Sequence, residues 1–240
     1  MRLVFTLGIL LICSKGHTQT SLSPEELLSK AINFHDPENS WSSFQDSLTV
    51  VMTTPNSPNR NSQIYIDLPK EFFSVEAKRD TVTTYYELSK GKCKLLYNQE
   101  EVADDSAKGK GMSCDRAELY KNYYTYLYGL PMKLKDPGTN INYPVETKSF
   151  QGKNYLVLKA TYDANIGSDV WYFYFNPTTF AMELYQFYKT DESGSLIPKS
   201  GEYIVLKELA TIGSIKMPKI RNWYYNKDDK FLGTDTLIKN

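Results

Sequence analysis

Histidine, a frequent side chain in catalytic and metal sites, is scarce in this sequence. The 240 residues include two histidines, His17 and His35, and only His35 lies beyond the segment interpreted below as an export signal. One histidine cannot build a three-histidine zinc site or a two-histidine iron site. A Ser–His–Asp triad would have to use His35, and the chain has no Gly-x-Ser-x-Gly elbow. We interpret His35 as structural, because at a helix C-terminus an imidazolium favours the dipole and can bond the last carbonyls.

Paired carboxylates are the other groups that could support catalysis, since two of them can serve a glycosidase. Proximity singles out three pairs, which are Asp67 with Glu71, Glu76 with Asp80, and Asp228 with Asp229. Acidic residues at strand ends and turns are usually solvated, as these six are predicted to be. We therefore predict no catalytic residue and a protein that is not an enzyme, with a carboxylate-dependent hydrolase as the alternative.

Two loops resemble ligand-binding motifs without completing them. The segment 163–169 places side-chain oxygens at alternate positions near a glycine, as a calcium loop does, but no bidentate glutamate follows. Residues 108–113 lack the glycine spacing and the Gly-Lys-Ser/Thr ending of a phosphate loop. We interpret the first as a hairpin connection and predict no metal site and no cofactor.

The cysteines indicate a structural cross-link. The chain has three, Cys13 near the N-terminus and the pair Cys93 and Cys114. An even pair in an oxidising compartment is most simply a disulfide. Closing a loop of about 20 residues would stabilise the fold by about 3 kcal/mol. A reactive or metal-bound pair is the alternative.

Aromatic residues are unusually frequent in this sequence, which contains 3 Trp, 19 Tyr and 11 Phe. Aromatic residues alternate on both faces of the strand-like run 171–175, which indicates a sheet that is covered on both sides or that lines a cavity. Core and ligand wall are equally favoured, and stacking on sugars is a further alternative. The predicted ligand-binding residues are Trp171, Phe173, Phe175, Tyr185, Phe187, Tyr124, Tyr128, Leu130 and Met132.

Residues 1–20 are predicted to be a signal peptide. Arg2 supplies a positive start, residues 3–12 are largely apolar, and small residues follow. The apolar run is too short to span a bilayer, which takes ~20 residues. Residues 10–13 resemble a lipobox, so lipidation of Cys13 is the alternative. We predict a periplasmic or secreted protein, or an outer-membrane lipoprotein anchored through Cys13.

The charge balance argues against nucleic-acid partners. Removal of residues 1–20 leaves 26 basic and 28 acidic residues. Because the two counts nearly balance, the chain has no strong positive electrostatic field that would attract nucleic acid or an anionic membrane. No later stretch is long and apolar enough to predict a transmembrane span.

Residues 21–240 are predicted to form one domain. Ser23 and Glu26 form a capping box that begins a first helix, and a second helix begins near Asp115 and stops at Gly129. Leu119 is placed on the buried face of the second helix. Period-two alternation predicts the strands, and a polar stretch predicts a flexible loop over 98–112. The predicted strands are 48–52, 64–68, 73–77, 82–89, 92–98, 142–150, 153–163, 169–176, 180–190, 201–212 and 215–226.

The order of these elements resembles the lipoprotein-localisation-factor (LolA/LolB-like) fold. The turn 176–180 and the run 212–218 carry that likeness. Four further segments, 35–41, 128–134, 169–175 and 223–224, resemble a family of secreted bacterial proteins of unassigned function. The resemblance implies a mainly β, α+β fold. It would be a single antiparallel, strongly curved open half-barrel with an N-terminal helix and a second helix covering the concave side.

Carriers with that fold hold acyl chains on the concave face, so the resemblance implies a non-enzymatic envelope protein that binds a lipid-like or other hydrophobic ligand. A hydrolase of envelope glycan or lipid is one alternative and would place two acids within ~10 Å across one cleft. A protein-interaction module of the outer membrane is the other, and would expose Leu130 and Met132 in the loop 129–135. The predicted partner is a hydrophobic small molecule or acyl chain, with an envelope protein as the second candidate.

Overall fold

The computed structural model describes residues 22–238, so the predicted signal peptide and Cys13 lie outside the described residues. One antiparallel sheet of fourteen strands forms the body of this part of the chain. The strands are β1 (Gln45–Thr54), β2 (Ser57–Asp67), β3 (Phe72–Arg79), β4 (Val82–Ser89), β5 (Lys92–Tyr97), β6 (Glu100–Glu101), β7 (Thr139–Asn140), β8 (Glu146–Phe150), β9 (Lys153–Tyr162), β10 (Val170–Phe175), β11 (Met182–Tyr188), β12 (Glu202–Ile212), β13 (Ile215–Tyr225) and β14 (Phe231–Ile238).

The sheet consists of two meanders joined by the last strand. Strand β14 pairs with β1 on one side and with β13 on the other, so it connects the meander β1–β6 to the meander β9–β13. The sheet is not closed, because β6 forms one edge while β7 and β8 both pair with β9 at the other. The prediction of a mostly antiparallel β fold with a few helices is confirmed.

Three α-helices occur within residues 22–238: α1 (Pro24–His35), α2 (Asp104–Ala107) and α3 (Cys114–Gly129). The predicted capping box of α1 is present, since the Glu26 backbone N–H donates to Ser23 Oγ at 3.2 Å and the Ser23 N–H donates to Glu26 Oε2 at 2.9 Å. Leu27 and Ala31 are among the buried residues of α1, which packs against β13 and β9. No helix of the described residues is long and apolar enough to cross a membrane.

Helix α3 lies across β3, β4 and β5. It begins earlier than predicted, because Ser113 rather than Asp115 caps it by accepting a hydrogen bond from the Arg116 N–H at 3.1 Å. It ends against the Trp41 ring, where a Cβ on Gly129 would lie 2.3 Å from a ring carbon. Only glycine permits this close approach. Leu119 is 62% exposed, so its predicted burial is wrong.

The stretch 98–112 is folded, which corrects the prediction of a flexible loop. It contains β6, α2 and a 3-10 turn, and it buries Ala107 and Met112 in the core. The Asp104 carboxylate accepts a hydrogen bond from the Cys114 N–H at 2.7 Å. The predicted disulfide between Cys93 and Cys114 is confirmed, and it fastens the first residue of α3 to β5.

Both faces of the sheet carry apolar clusters. The main core lies on the face that α1 and α3 cover, and it includes Phe173 and Phe175 of β10. A smaller cluster on the opposite face includes Tyr174, Leu184 and Tyr203. The aromatic residues on both faces of β10 are therefore explained by coverage on both sides.

Candidate functional site

A cleft of about 740 Å³ opens beside α3, and we call it the α3 cleft. Helix α3 lines one side of the cleft, and the β9–β10 connection lines the opposite side. The turn that follows α3 lines the edge between them, and Trp171 also lines the cleft. Leu119 and Ile166, both more than half exposed, face this space from the two walls. A volume of this size lies within the range of small-molecule sites, roughly 300–1,000 Å³.

Aromatic rings form the inner surface of the α3 cleft. Tyr126 meets the Trp171 ring edge to face with a centroid separation of 5.7 Å, and the Tyr126 and Tyr162 hydroxyls are hydrogen-bonded to each other. Trp171 stacks on Phe187 at 4.8 Å, which fixes the orientation of the indole. Burial raises the pKa of Tyr126 well above its ordinary value and raises the pKa of Tyr162 as well, so both hydroxyls of the tyrosine pair stay protonated. The rings thus give a rigid, largely apolar floor.

The rim of the α3 cleft is polar. Lys133 and Asp136 form an ion pair with each other. Asp169 is half-buried at the start of β10, and burial raises the pKa of its carboxyl group, an effect that Lys189 opposes. The rim also includes the amides of Asn122 and Asn165. The cleft therefore presents an apolar floor beneath hydrogen-bonding groups.

The loop 163–169 is held over the cleft by backbone contacts. The Asp163 N–H donates to the Gly138 carbonyl at 2.9 Å, and the Asp163 carbonyl accepts from the Ile166 N–H at 2.8 Å. Gly138 has a φ of +82°, and a Cβ there would lie 2.3 Å from Ile166. The loop joins β9 to β10, as the hairpin interpretation predicted. No group of three metal-ligating side chains occurs among residues 22–238.

A second cavity of about 150 Å³ shares Tyr123 with the α3 cleft. Met52, Trp223 and Leu232 make its walls largely apolar. Glu202 and Asp235 are the acidic residues of its lining. Asp235 Oδ2 accepts from Trp223 Nε1–H at 3.1 Å and faces the Tyr123 hydroxyl at 3.5 Å. This cavity extends the apolar surface beyond the α3 cleft.

Two arginines flank Asp235 beneath α3. Asp235 is the cross-strand partner of Arg221 and of Met52, and Met52 is the partner of Arg60. Arg221 is fully buried and donates to the carbonyls of Leu127 and Pro218. Burial raises the pKa of Asp235, and the positive charges of Arg221 and Arg60 oppose that rise. This row of charges ties the end of α3 to the sheet.

His35 and Asp36 hold α1 in place rather than forming a reactive site. His35 Nδ1 lies 2.7 Å from the Lys216 carbonyl, and Nε2 accepts from the Met182 N–H at 3.0 Å. Because the Met182 N–H can only donate, the ring proton is on Nδ1. The structural interpretation of His35 holds, but a neutral ring that bridges two strands replaces the expected imidazolium. Asp36 accepts from the backbone N–H groups of Ser40 and Trp41.

The predicted ligand-binding residues lie around one core, but Trp171 is the one of them that lines the α3 cleft. Phe187 is half-buried behind Trp171. Leu130 and Met132 are buried, so the loop 129–135 does not present them as an exposed contact. The other predicted residues are buried in the main core, and they are Phe173, Phe175, Tyr185, Tyr124 and Tyr128.

None of the six predicted carboxylates lines the α3 cleft or the second cavity. Asp67 is buried and paired with Lys70, whose Nζ lies 2.9 Å from Oδ2. Asp228 accepts from the Lys230 N–H in the turn before β14. These six acids are therefore structural or exposed groups. The acids that do line the α3 cleft are Asp136, which pairs with Lys133, and Asp169.

Several residues of the cleft had no role in the sequence-based predictions. Tyr126 lies on α3 but is not among the predicted ligand-binding residues, and Tyr162 lies at the end of a strand. The side chain of Asp169 has a suggested chemical role only in the calcium-like loop. One sequence feature could have indicated the cleft, namely a loop of short polar side chains directly before an aromatic strand.

Comparison with a solved structure agrees with this architecture. The chain is similar in structure to a LolA superfamily protein from Nitrosomonas europaea, with a TM-score of 0.50, 11% sequence identity, and coverage of 91% of this chain and 93% of that chain. A DUF1329 family protein from Desulfovibrio piger ATCC 29098 gives a TM-score of 0.48 and 10% identity, and the alignment covers 91% of this chain and 92% of that one. The first likeness confirms the predicted LolA-like fold and, at this identity, says nothing more.

Sequence comparison places the chain in a family. No curated protein matches it. A family model described as a family of unknown function (DUF6503) matches residues 1–240, so the chain belongs to the DUF6503 family.

Proposed function

We propose that this protein binds a hydrophobic or amphiphilic small molecule in the α3 cleft without covalent chemistry. The observation that carries the proposal is the floor of Trp171, Tyr126, Tyr162 and Tyr123, which rigid ring contacts hold open beside exposed Leu119 and Ile166. Unpartnered apolar side chains around a concave, aromatic floor favour burial of an apolar ligand. The LolA-like fold, an open antiparallel sheet with helices packed on it, supports the proposal of a carrier.

Substitution of Trp171 by leucine is expected to weaken binding of a neutral apolar dye, Nile red, by about tenfold or more, because the indole is the largest aromatic side chain that lines the cleft. Fluorescence titration of the purified protein measures this change. Tyr172→Leu is the matched control, since Tyr172 is the next residue and faces the opposite side of the sheet.

Equal Nile red affinity in the wild type and in Trp171→Leu would contradict the proposed site. Circular dichroism of both variants establishes that the sheet is intact, which separates loss of a contact from loss of the fold. Native mass spectrometry of protein purified from its own cells provides the complementary measurement, and an apolar adduct that Trp171→Leu lacks is expected.

We also propose that residues 1–20 direct the chain to the cell envelope and that residues 21–240 act there as one domain. The apolar run after Arg2 supports this proposal. The intact mass of protein from its own cells is expected to correspond to cleavage between Gly16 and Thr20. A chain that begins at Met1 would contradict export, and a chain that begins at a lipid-modified Cys13 would instead establish an anchored lipoprotein.

A further inference from the structure

The rim of the α3 cleft carries polar side chains that have no hydrogen-bond or ion-pair partner among the described residues. Asp169, Asn165, Asn122 and Ser168 line the cleft, and their side chains form no hydrogen bond or ion pair within residues 22–238. Asp169 is half-buried, and a half-buried carboxylate costs free energy unless a partner satisfies it, whereas Asn122, Asn165 and Ser168 are exposed to solvent. A ligand that rests on the aromatic floor would be in reach of them.

The charges on the rim select against an anionic ligand. Lys133 is the one cationic side chain that lines the cleft in the described part of the chain, and Asp136 already pairs with it. Asp169 forms no ion pair within residues 22–238, and Lys189 is the cation whose charge acts on its carboxylate. A carboxylate accepts hydrogen bonds and cannot donate them, so it favours a ligand that brings hydroxyl or amine donors.

Trp171 and Asp169 are close enough in the chain to act on one ligand group. They are two residues apart, and both line the cleft. The Trp171 ring lines the cleft between its contacts with Phe187 and Tyr126, and Asn165 and Ser168 add amide and hydroxyl groups that both donate and accept. A sugar ring matches this combination, because its C–H face packs on an aromatic ring while its hydroxyls bond to carboxylate and amide.

We propose that the ligand of the α3 cleft is an amphiphile with an uncharged, hydroxyl-rich head group, in which the sugar-like head contacts Trp171, Asp169 and Asn165 and the apolar tail lies along Tyr126 and Tyr123. This inference rests on the proposed function, since it assumes that the cleft holds an amphiphile. The head group forms hydrogen bonds with the polar side chains of the rim. The second cavity, which shares Tyr123 with the cleft, adds apolar surface for the tail.

Three amphiphiles with the same dodecyl tail test the head-group preference in calorimetric titrations below their micelle concentrations. Dodecyl maltoside is expected to bind about tenfold more tightly than dodecyl sulfate or dodecyl trimethylammonium, because a site that bonds hydroxyls rejects analogues that lack them. Maltose alone distinguishes a lipid-like ligand from a free sugar, and it is expected to bind at least about a hundredfold more weakly than the maltoside.

Asp169→Ala is expected to weaken maltoside binding about tenfold while leaving dodecyl sulfate unchanged or tighter. Asp163→Ala is the matched control, since Asp163 lies at the other end of the same loop and outside the lining of the cleft. Equal affinity for all three head groups, or tightest binding of the ammonium, would overturn the sugar assignment and leave the proposed function standing. Failure of all three amphiphiles to bind would overturn both, and maltose binding as tightly as the maltoside would assign a free sugar.

Discussion

Replacing Arg221 by methionine is expected to lower the free energy of unfolding by about 3–5 kcal/mol, because removal of one partner from a buried group of charges leaves the others unsatisfied. Arg221 Nη2 donates to the Leu127 carbonyl at 3.0 Å, within the last turn of α3, and Nη1 donates to the Pro218 carbonyl at 3.1 Å. Carbonyls of the last helical turn have no partner within the helix, so Arg221 both caps α3 and balances Asp235.

Urea denaturation at neutral pH measures this loss. Arg79→Met is the matched control, because Arg79 is an exposed arginine at the end of β3, and it is expected to change stability by about 0.5 kcal/mol at most. Removing Asp235 as well, in Arg221→Met with Asp235→Leu, is expected to recover part of the loss, since the uncompensated carboxylate is then absent. Wild-type stability of Arg221→Met alone would show that α3 is held by its apolar contacts and not by this arginine.

The elements of the fold were largely predictable because their signals are local. The capping box at Ser23 and Glu26 lies within four residues, and the alternation that marks β4 needs only the segment 82–89. Strand β14 was missed because Gly233, Asp235 and Leu237 face inward, and such a mixture gives no apolar period. Its close approach to β1, where a Cβ on Gly233 would lie 2.5 Å from the Thr53 carbonyl oxygen, accounts for the glycine.

The α3 cleft could not be predicted in the same way, because distant segments build it. Tyr126 and Tyr162 are 36 residues apart, and only the position of α3 relative to the end of β9 brings their hydroxyls together. Chain periodicity identified an aromatic face that includes Trp171 and Phe173, but it could not show that Phe173 is buried while Trp171 reaches the cleft. That distinction depends on where α3 stops covering the sheet.

Buried charges were the second feature beyond the reach of sequence patterns. A charged residue on a strand is ordinarily placed toward solvent, so Arg221 and Asp235 gave no sign of burial. Strand register puts them side by side, and α3 then covers them. Register between β13 and β14 is a property of the whole sheet, and so the charge row became visible only in the structure.

Acidification from pH 7 to pH 4 is expected to destabilise the protein through His35 by on the order of 3 kcal/mol. Burial lowers the pKa of His35 from 6.5 to about 4, although the hydrogen bond to the Lys216 carbonyl opposes this shift. As the pH falls, the unfolded chain therefore binds the proton before the folded protein does. The contribution of the neutral imidazole is complete above pH 6.5, is lost progressively down to pH 4, and changes little below that.

A His35→Gln variant isolates this contribution because it keeps every carboxylate of the wild type. The difference between the unfolding free energies of the two proteins is expected to shrink by about 3 kcal/mol between pH 7 and pH 4. NMR titration of the imidazole gives the pKa directly, with the variant identifying the His35 signal. A midpoint near 6.5 would mean that water reaches the ring in the folded state. The bonds to Lys216 and Met182 would then not be the rigid connection of α1 to β13 and β11 on which this prediction depends.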